Sequence, residues 1–144
     1  MVNLESILAE WKEDSQISKN QLDEVSRITP ALHSKYLEYL SLTKLRLKRA
    51  EFDQKNLLKE KWLYYTGKAD PDTYIDKPFD HKVIRQDMDM YLGSDDDLIK
   101  IQSKMDYYQV MLNYLDSILK SITNRTYQIK NAIEWQKFIR GYSD

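Results

Sequence analysis

Lysines and aromatic rings are the residues of this chain whose spacing suggests a binding chemistry. On a helical wheel at 100° per residue, Lys44, Lys48, Lys55 and Lys59 project within about 60° of one another, and Trp62 falls on the same line. Trp62, Tyr64 and Tyr65 place flat rings beside Lys59, Lys61 and Lys68. Ammonium groups that track phosphates, next to rings that stack on bases, are the combination used to hold single strands of nucleic acid with little regard for sequence. The same lysines also suit the solvated face of a long helix whose Trp62 and Tyr65 pack in a core. The residue types leave both readings open.

No competing chemistry is built as well. His33 and His81 have no Ser or Cys at a recognisable motif spacing, so nucleophilic catalysis has no support. Asp70, Asp72, Asp76 and Asp80 gather oxygen ligands, but an EF-hand loop needs a central Gly and a terminal Glu that are missing here. The run Asp95-Asp96-Asp97 is what a helix start favours. No cofactor, no metal and no enzymatic activity are expected.

The elements that position the lysines follow from composition. The 144 residues include no Cys, 3 Gly and 3 Pro, well under the usual ~7% Gly and ~5% Pro. Disulfide scaffolds and thiolate metal centres are excluded, and an intracellular chain with long helices is expected. The first residues have no basic and apolar leader pattern, and no stretch approaches the ~20 apolar residues of a membrane span, so a soluble, untargeted chain without membrane contact is expected.

Asn3 reads as the N-cap of a helix to about Glu13, with Leu4, Ile7, Leu8 and Trp11 on one face. Ser18 suits the cap of a second helix carrying Leu22, Val25 and Ile28. Thr29-Pro30 then reads as a cap and first position of a long helix to Tyr65, with Leu32, Tyr36, Leu40, Leu47, Ala50, Leu57, Leu58 and Tyr65 as its core stripe. Gly67 ends it. Residues 68–81 read as a loop with a possible short extended piece at Tyr74, Ile75 and Phe79, interrupted by Pro78. A helix from His81 to Leu92, closed by Gly93, and an N-cap at Ser94 complete the middle of the chain.

Beyond Ser94 the pattern becomes a heptad. Leu98, Ile101, Met105, Tyr108, Leu112, Leu115, Leu119 and Ile122 alternate spacings of three and four, and Met111 and Ile118 widen the stripe beyond a two-stranded seam. Packing in the chain's own core is one use of it. Homo-oligomerisation is the expectation favoured here, because so few other surfaces are available to cover it. The expected organisation is all-α: an N-terminal helical part (1–67) with the binding motif, a connector (68–93) and C-terminal oligomerisation helices (94–144).

The formal net charge of −1 conceals this organisation. Residues 41–68 hold eight bases and three acids, whereas residues 70–97 hold three bases and nine acids. The lysine ladder lies in the basic segment, where a polyanion would dock.

Leu58-Lys59-Glu60-Lys61-Trp62-Leu63-Tyr64-Tyr65-Thr66-Gly67 resembles the motif of the UvsY family, recombination mediators of large tailed phages, which reads approximately Leu-Lys-Ala-Arg-Leu-x-Tyr-Tyr-Ser-Gly. Asp97-Leu98-Ile99-Lys100-Ile101, Tyr107-Tyr108 and, further on, Ile122, Arg125, Tyr127, Ile129-Lys130 and Phe138 resemble later segments of that family in the same order. The resemblance implies a protein of the host cell cytoplasm that binds single-stranded DNA. It also implies a ring-like homo-oligomer, of hexamer or heptamer type, that loads a phage recombinase onto strands coated by the single-stranded DNA-binding protein. It assigns DNA contacts to Lys59 and Lys61 and oligomerisation to the C-terminal part. Lys61 stands where the motif has Arg and lacks its planar, bidentate geometry. Trp62 stands for a Leu and offers a larger stacking surface. A helical scaffold that binds only proteins is the alternative.

Overall fold

The computed structural model describes residues 2–141, and every regular element among them is helical. In chain order these are α1 (Leu4–Asp14), α2 (Leu22–Tyr65), α3 (Pro71–Asp76), a 3-10 turn (Arg85–Asp87), α4 (Met88–Gly93) and α5 (Asp96–Gly141). Asn3 caps α1 as expected: its side chain accepts from the Ser6 amide at 2.8 Å while Ser6 Oγ accepts from the Asn3 amide.

α2 begins eight residues before Pro30, so the break expected at Thr29-Pro30 is absent. Proline inside a helix costs a backbone hydrogen bond and a steric clash, together about 3 kcal/mol. Burial of Leu22 and Val25 ahead of it and of Leu32 and Tyr36 after it offsets that cost, since each large apolar side chain fully removed from water stabilises by roughly 1.5–3 kcal/mol. Thr29, expected as a cap, instead donates its hydroxyl back to the Val25 carbonyl at 2.9 Å.

Two compact units share the long helices. The first comprises the described residues up to Lys44 and from Val110 onward. Ile7 of α1 is fully buried there, Trp11 meets the Tyr36 ring edge-on at 5.5 Å, and Met111, Leu115, Ile118 and Ile122 of α5 are almost wholly shielded. Polar groups close the end of α1. Tyr36 Oη donates to Asp14 at 2.8 Å, Lys35 pairs with Asp14 and Glu10, and the buried Arg125 guanidinium donates to the carbonyls of Asp14 and Gln16. Burial disfavours charge on Asp14, but hydrogen bonds from Lys35 and Tyr36 outweigh it and lower the carboxyl pKa.

The second unit comprises Leu45–Gln109. Ala50, Met88, Leu98 and Tyr108 are its buried apolar residues among those described. The extended piece expected at Tyr74 and Ile75 is helical instead, because Pro71 at the first position of α3 pre-sets a helical φ. The helix expected from His81 starts late: residues 81–84 are irregular and α4 spans only Met88–Gly93. Ser94 does not cap α5. Its hydroxyl donates back to the Met90 carbonyl, and the neighbouring Asp95 accepts from the Leu98 amide at 3.0 Å.

Candidate nucleic-acid interface

The last turns of α2 carry the motif, and several contacts hold that helix end rigidly. Gly67 adopts a left-handed φ of 78°, its amide donates to the Tyr64 carbonyl, and the Lys68 amide donates to the Leu63 carbonyl at 2.9 Å. This paired arrangement satisfies carbonyls that a helix end leaves free, and only a residue without Cβ adopts it without strain. Tyr74 of α3 completes the cap: its hydroxyl donates to the Tyr64 carbonyl at 2.8 Å and accepts from the Ala69 amide at 3.2 Å. The Tyr74 ring stacks on Tyr64 at 5.5 Å and an interplanar angle of 12°.

Three expected site residues are drawn into internal contacts here. Lys61 Nζ lies 2.7 Å from Asp97 and 3.3 Å from Asp95, and its side chain is only 15% exposed. Tyr65 Oη donates to Asp95 at 2.6 Å, and its ring packs edge-on against Phe79 at 5.1 Å. Tyr64 Oη donates to the Lys77 carbonyl at 3.1 Å. Burial opposes the charge on Lys61, but the Asp97 and Asp95 carboxylates outweigh it and raise its pKa. Asp97 is lowered by its hydrogen bond from Lys61. Asp95 is lowered too, burial being overcome by the Tyr65 hydroxyl, the Leu98 amide and Lys61. Burial and the bond to Asp95 push the Tyr65 hydroxyl well above the usual phenol value.

The other expected residues face water. Lys48, Lys55, Lys59, Trp62 and Lys68 are exposed; Lys48 makes a 3.2 Å pair with Glu51 that leaves its side chain 65% exposed. Lys55 Nζ sits 5.7 Å over the ring of Phe52, which is itself 53% exposed. Phe52 is thus an aromatic member of this strip that wheel positions of lysines alone do not reveal. Its place three residues before Lys55 on the same helix is the signal that would have found it. Asp95 and Asp97 also belong to the site, 34 and 36 residues beyond Lys61 in the chain.

The heptad residues are largely covered within the protomer. Leu98, Tyr108, Leu112, Leu115 and Ile122 are buried, while Ile101, Met105 and Leu119 are half-buried. Among the described residues no group of three or more His, Asp or Glu gathers as a metal site, and no helix is long and apolar enough to cross a membrane.

Fold and strip together define an all-helical protein with a cationic, aromatic-bearing helix face of the kind that polyanions dock on. The family profile of the recombination, repair and ssDNA binding protein UvsY matches residues 10–142, and the chain belongs to that family. Recombination protein uvsY of Enterobacteria phage T4 is 26% identical over 140 residues, spanning 97% of this chain and 99% of the relative. The crystal structure of the bacteriophage T4 recombination mediator protein UvsY in lattice type II superposes with a TM-score of 0.84 at 26% identity, covering 97% of this chain and 99% of that one. In lattice type IV the TM-score is 0.81, over 95% and 98% of the two chains.

Proposed function

We propose that this chain is a single-stranded DNA-binding recombination mediator, which helps load a phage recombinase onto strands coated by single-stranded DNA-binding protein during recombination, repair and recombination-dependent replication. The observation that carries this reading is the coincidence of the family match over residues 10–142 with the exposed strip from Lys48 to Trp62. The protein works by binding and makes or breaks no covalent bond. Lys48, Lys55, Lys59 and Lys68 track phosphates, and Trp62 stacks on a base. Lys61 engages by exchange: a phosphate displaces the exposed Asp97 carboxylate, so part of the attraction replaces one already present in the free protein. Tyr64 and Tyr65 act through their internal bonds, holding the helix end that presents the lysines.

Assembly multiplies weak sites. In a ring-like homo-oligomer of hexamer or heptamer type, a strand bound at one subunit is at high effective concentration for the next. The C-terminal helix supplies the surface, through the half-buried Ile101, Met105 and Leu119 and through the exposed Tyr127 and Trp135. A strand held along such a ring sheds its coating protein and offers a segment for recombinase nucleation. The phage protein acts in the host cytoplasm. Functionally, residues 1–67 carry DNA binding, 68–93 connect, and 94–144 assemble.

Fluorescence anisotropy with a labelled single strand, read across salt concentrations, tests this. Changing Lys55 and Lys59 together to Ala lowers affinity and reduces the salt slope by about 1.4, roughly 0.7 per phosphate contact. An unchanged slope removes both residues from the site. A wild-type chain that binds no strand leaves the protein-only scaffold as the reading, and one that sediments as a monomer rules out the ring.

A further inference from the structure

Next to the lysine strip, within the second unit, lies an open groove of about 430 Å³. Leu58, Leu92, Leu98 and Ile99 supply its apolar walls, and Gln54 and Gln102 its polar part. Leu58 and Ile99 remain 45% and 48% exposed there, so the chain itself does not finish covering them. Two neighbours of Leu58 on the same helix matter. Lys55 lies three residues before it and Trp62 four after, so both stand on adjoining rows, roughly 5–6 Å away between Cβ atoms. An apolar recess on a helix whose adjoining rows carry a cation and an exposed indole suits an occupant that is flat and apolar on its faces, polar at its edge, and linked to negative charge. A nucleobase meets all three requirements, whereas an apolar protein side chain meets only the first.

The carboxamides are set for the edge. Gln54 Nε2 donates to Gln102 Oε1 at 2.7 Å, and Gln102 Nε2 donates to Asp106 Oδ1 at 2.9 Å. This chain fixes both amides while leaving each a second N–H, and leaving Gln54 its carbonyl oxygen, for hydrogen bonds to a ring edge. Side-chain amides of this kind pair with base edges generally. We propose that the groove receives a nucleobase of the bound strand, whose flanking phosphates lie on Lys55 and Lys59. The inference rests on the single-strand reading above and adds a base subsite to it.

The test compares an oligothymidylate with an abasic strand of equal length, using the full chain. Ser103 and Gly93 border the groove. Ser103 is exposed and a Cβ on Gly93 meets nothing within 4 Å, so Ser103→Leu with Gly93→Leu fills the groove from its edge. The filled variant is expected to bind oligothymidylate about tenfold more weakly than wild type, the scale of one lost base contact, and to bind the abasic strand equally well. Ser103→Leu alone, which leaves Gly93 in place, is expected to shift affinity in the same direction by less. Unchanged binding of both strands overturns the subsite. Equal loss on both strands overturns it too, and a fall in sedimentation coefficient alongside would assign the groove to a second copy of the chain. If wild type binds neither strand, the single-strand reading itself fails; if it binds both and filling has no effect, only the groove proposal fails.

Discussion

α2 and α5 pass through both units, yet the two units use their residues differently. Among the described residues, twelve of the sixteen buried apolar side chains belong to the first unit, from Ile7 to Ile129, and four to the second. The first unit also turns its charges inward: Lys35 is held by Asp14 and Glu10, and Arg125 is buried against backbone carbonyls. In the second unit Lys61 is held in this way, while Lys48, Lys55 and Lys59 stay exposed and the rings of Tyr64, Tyr65, Tyr74 and Phe79 pack at the end of α2. A cation already held by the fold can serve a ligand only by exchanging its partner, whereas an exposed one meets the ligand at less cost. The difference therefore separates residues whose loss is expected to weaken the fold from residues whose loss, under the proposed function, is expected to weaken binding.

The largest effect should come from the first unit. Leu115 is fully buried, and Leu115→Ala is expected to destabilise by about 2–5 kcal/mol, as a transfer loss plus a cavity. Chemical denaturation checks this, with single-strand affinity unchanged in the fraction that remains folded. A fall in affinity without a fall in stability would break the division of labour. Next, Lys61→Met and Asp97→Asn should part company in the second unit. The first leaves the buried Asp95 carboxylate short of a partner and lowers the denaturation midpoint; the second frees an ammonium for phosphate and raises single-strand affinity. If Asp97→Asn weakens binding, the ion pair positions the motif rather than competing with DNA.

The smallest effect is on pH. Asp14, Asp95 and Asp97 have folded pKa values below the 3.8 of the free carboxyl, and Lys35 and Lys61 have values above 10.5. The carboxylates therefore contribute stability that is present above about pH 5 and lost as pH falls through their folded values. The lysines contribute stability that is fully present below the free value of 10.5 and is lost as pH rises through their higher folded values. Denaturation midpoints should be flat from about pH 5 to about pH 9 on account of these groups.

Local signals carried much of this organisation. Asn3 and Gly67 mark helix ends because cap geometry depends on residues a few positions away, and the lysine strip is visible because helical periodicity alone places its members on one face. Pro30 misleads for the opposite reason: what carries α2 through it is burial of Leu22 and Val25, which no local pattern weighs. α3 is too short to show a period, and its proline, Pro71, stands at its first position. The division of the lysines into held and exposed was not legible either, since the carboxylates that hold Lys61, Asp95 and Asp97, lie at the start of α5, 34 and 36 residues further along the chain. Nor does a heptad say whether its stripe meets the same chain or another, and here most of it meets the same chain.

Asp95 receives the Leu98 amide, the Tyr65 hydroxyl and the Lys61 ammonium together. One backbone proton at the start of α5 is thereby tied to the side chains that anchor the end of α2. Its exchange with deuterated solvent is slow while that anchor holds and fast once the carboxylate swings away. The Leu98 amide is thus a natural reporter of whether the motif stays clamped when a strand arrives, readable without attaching any probe to the protein.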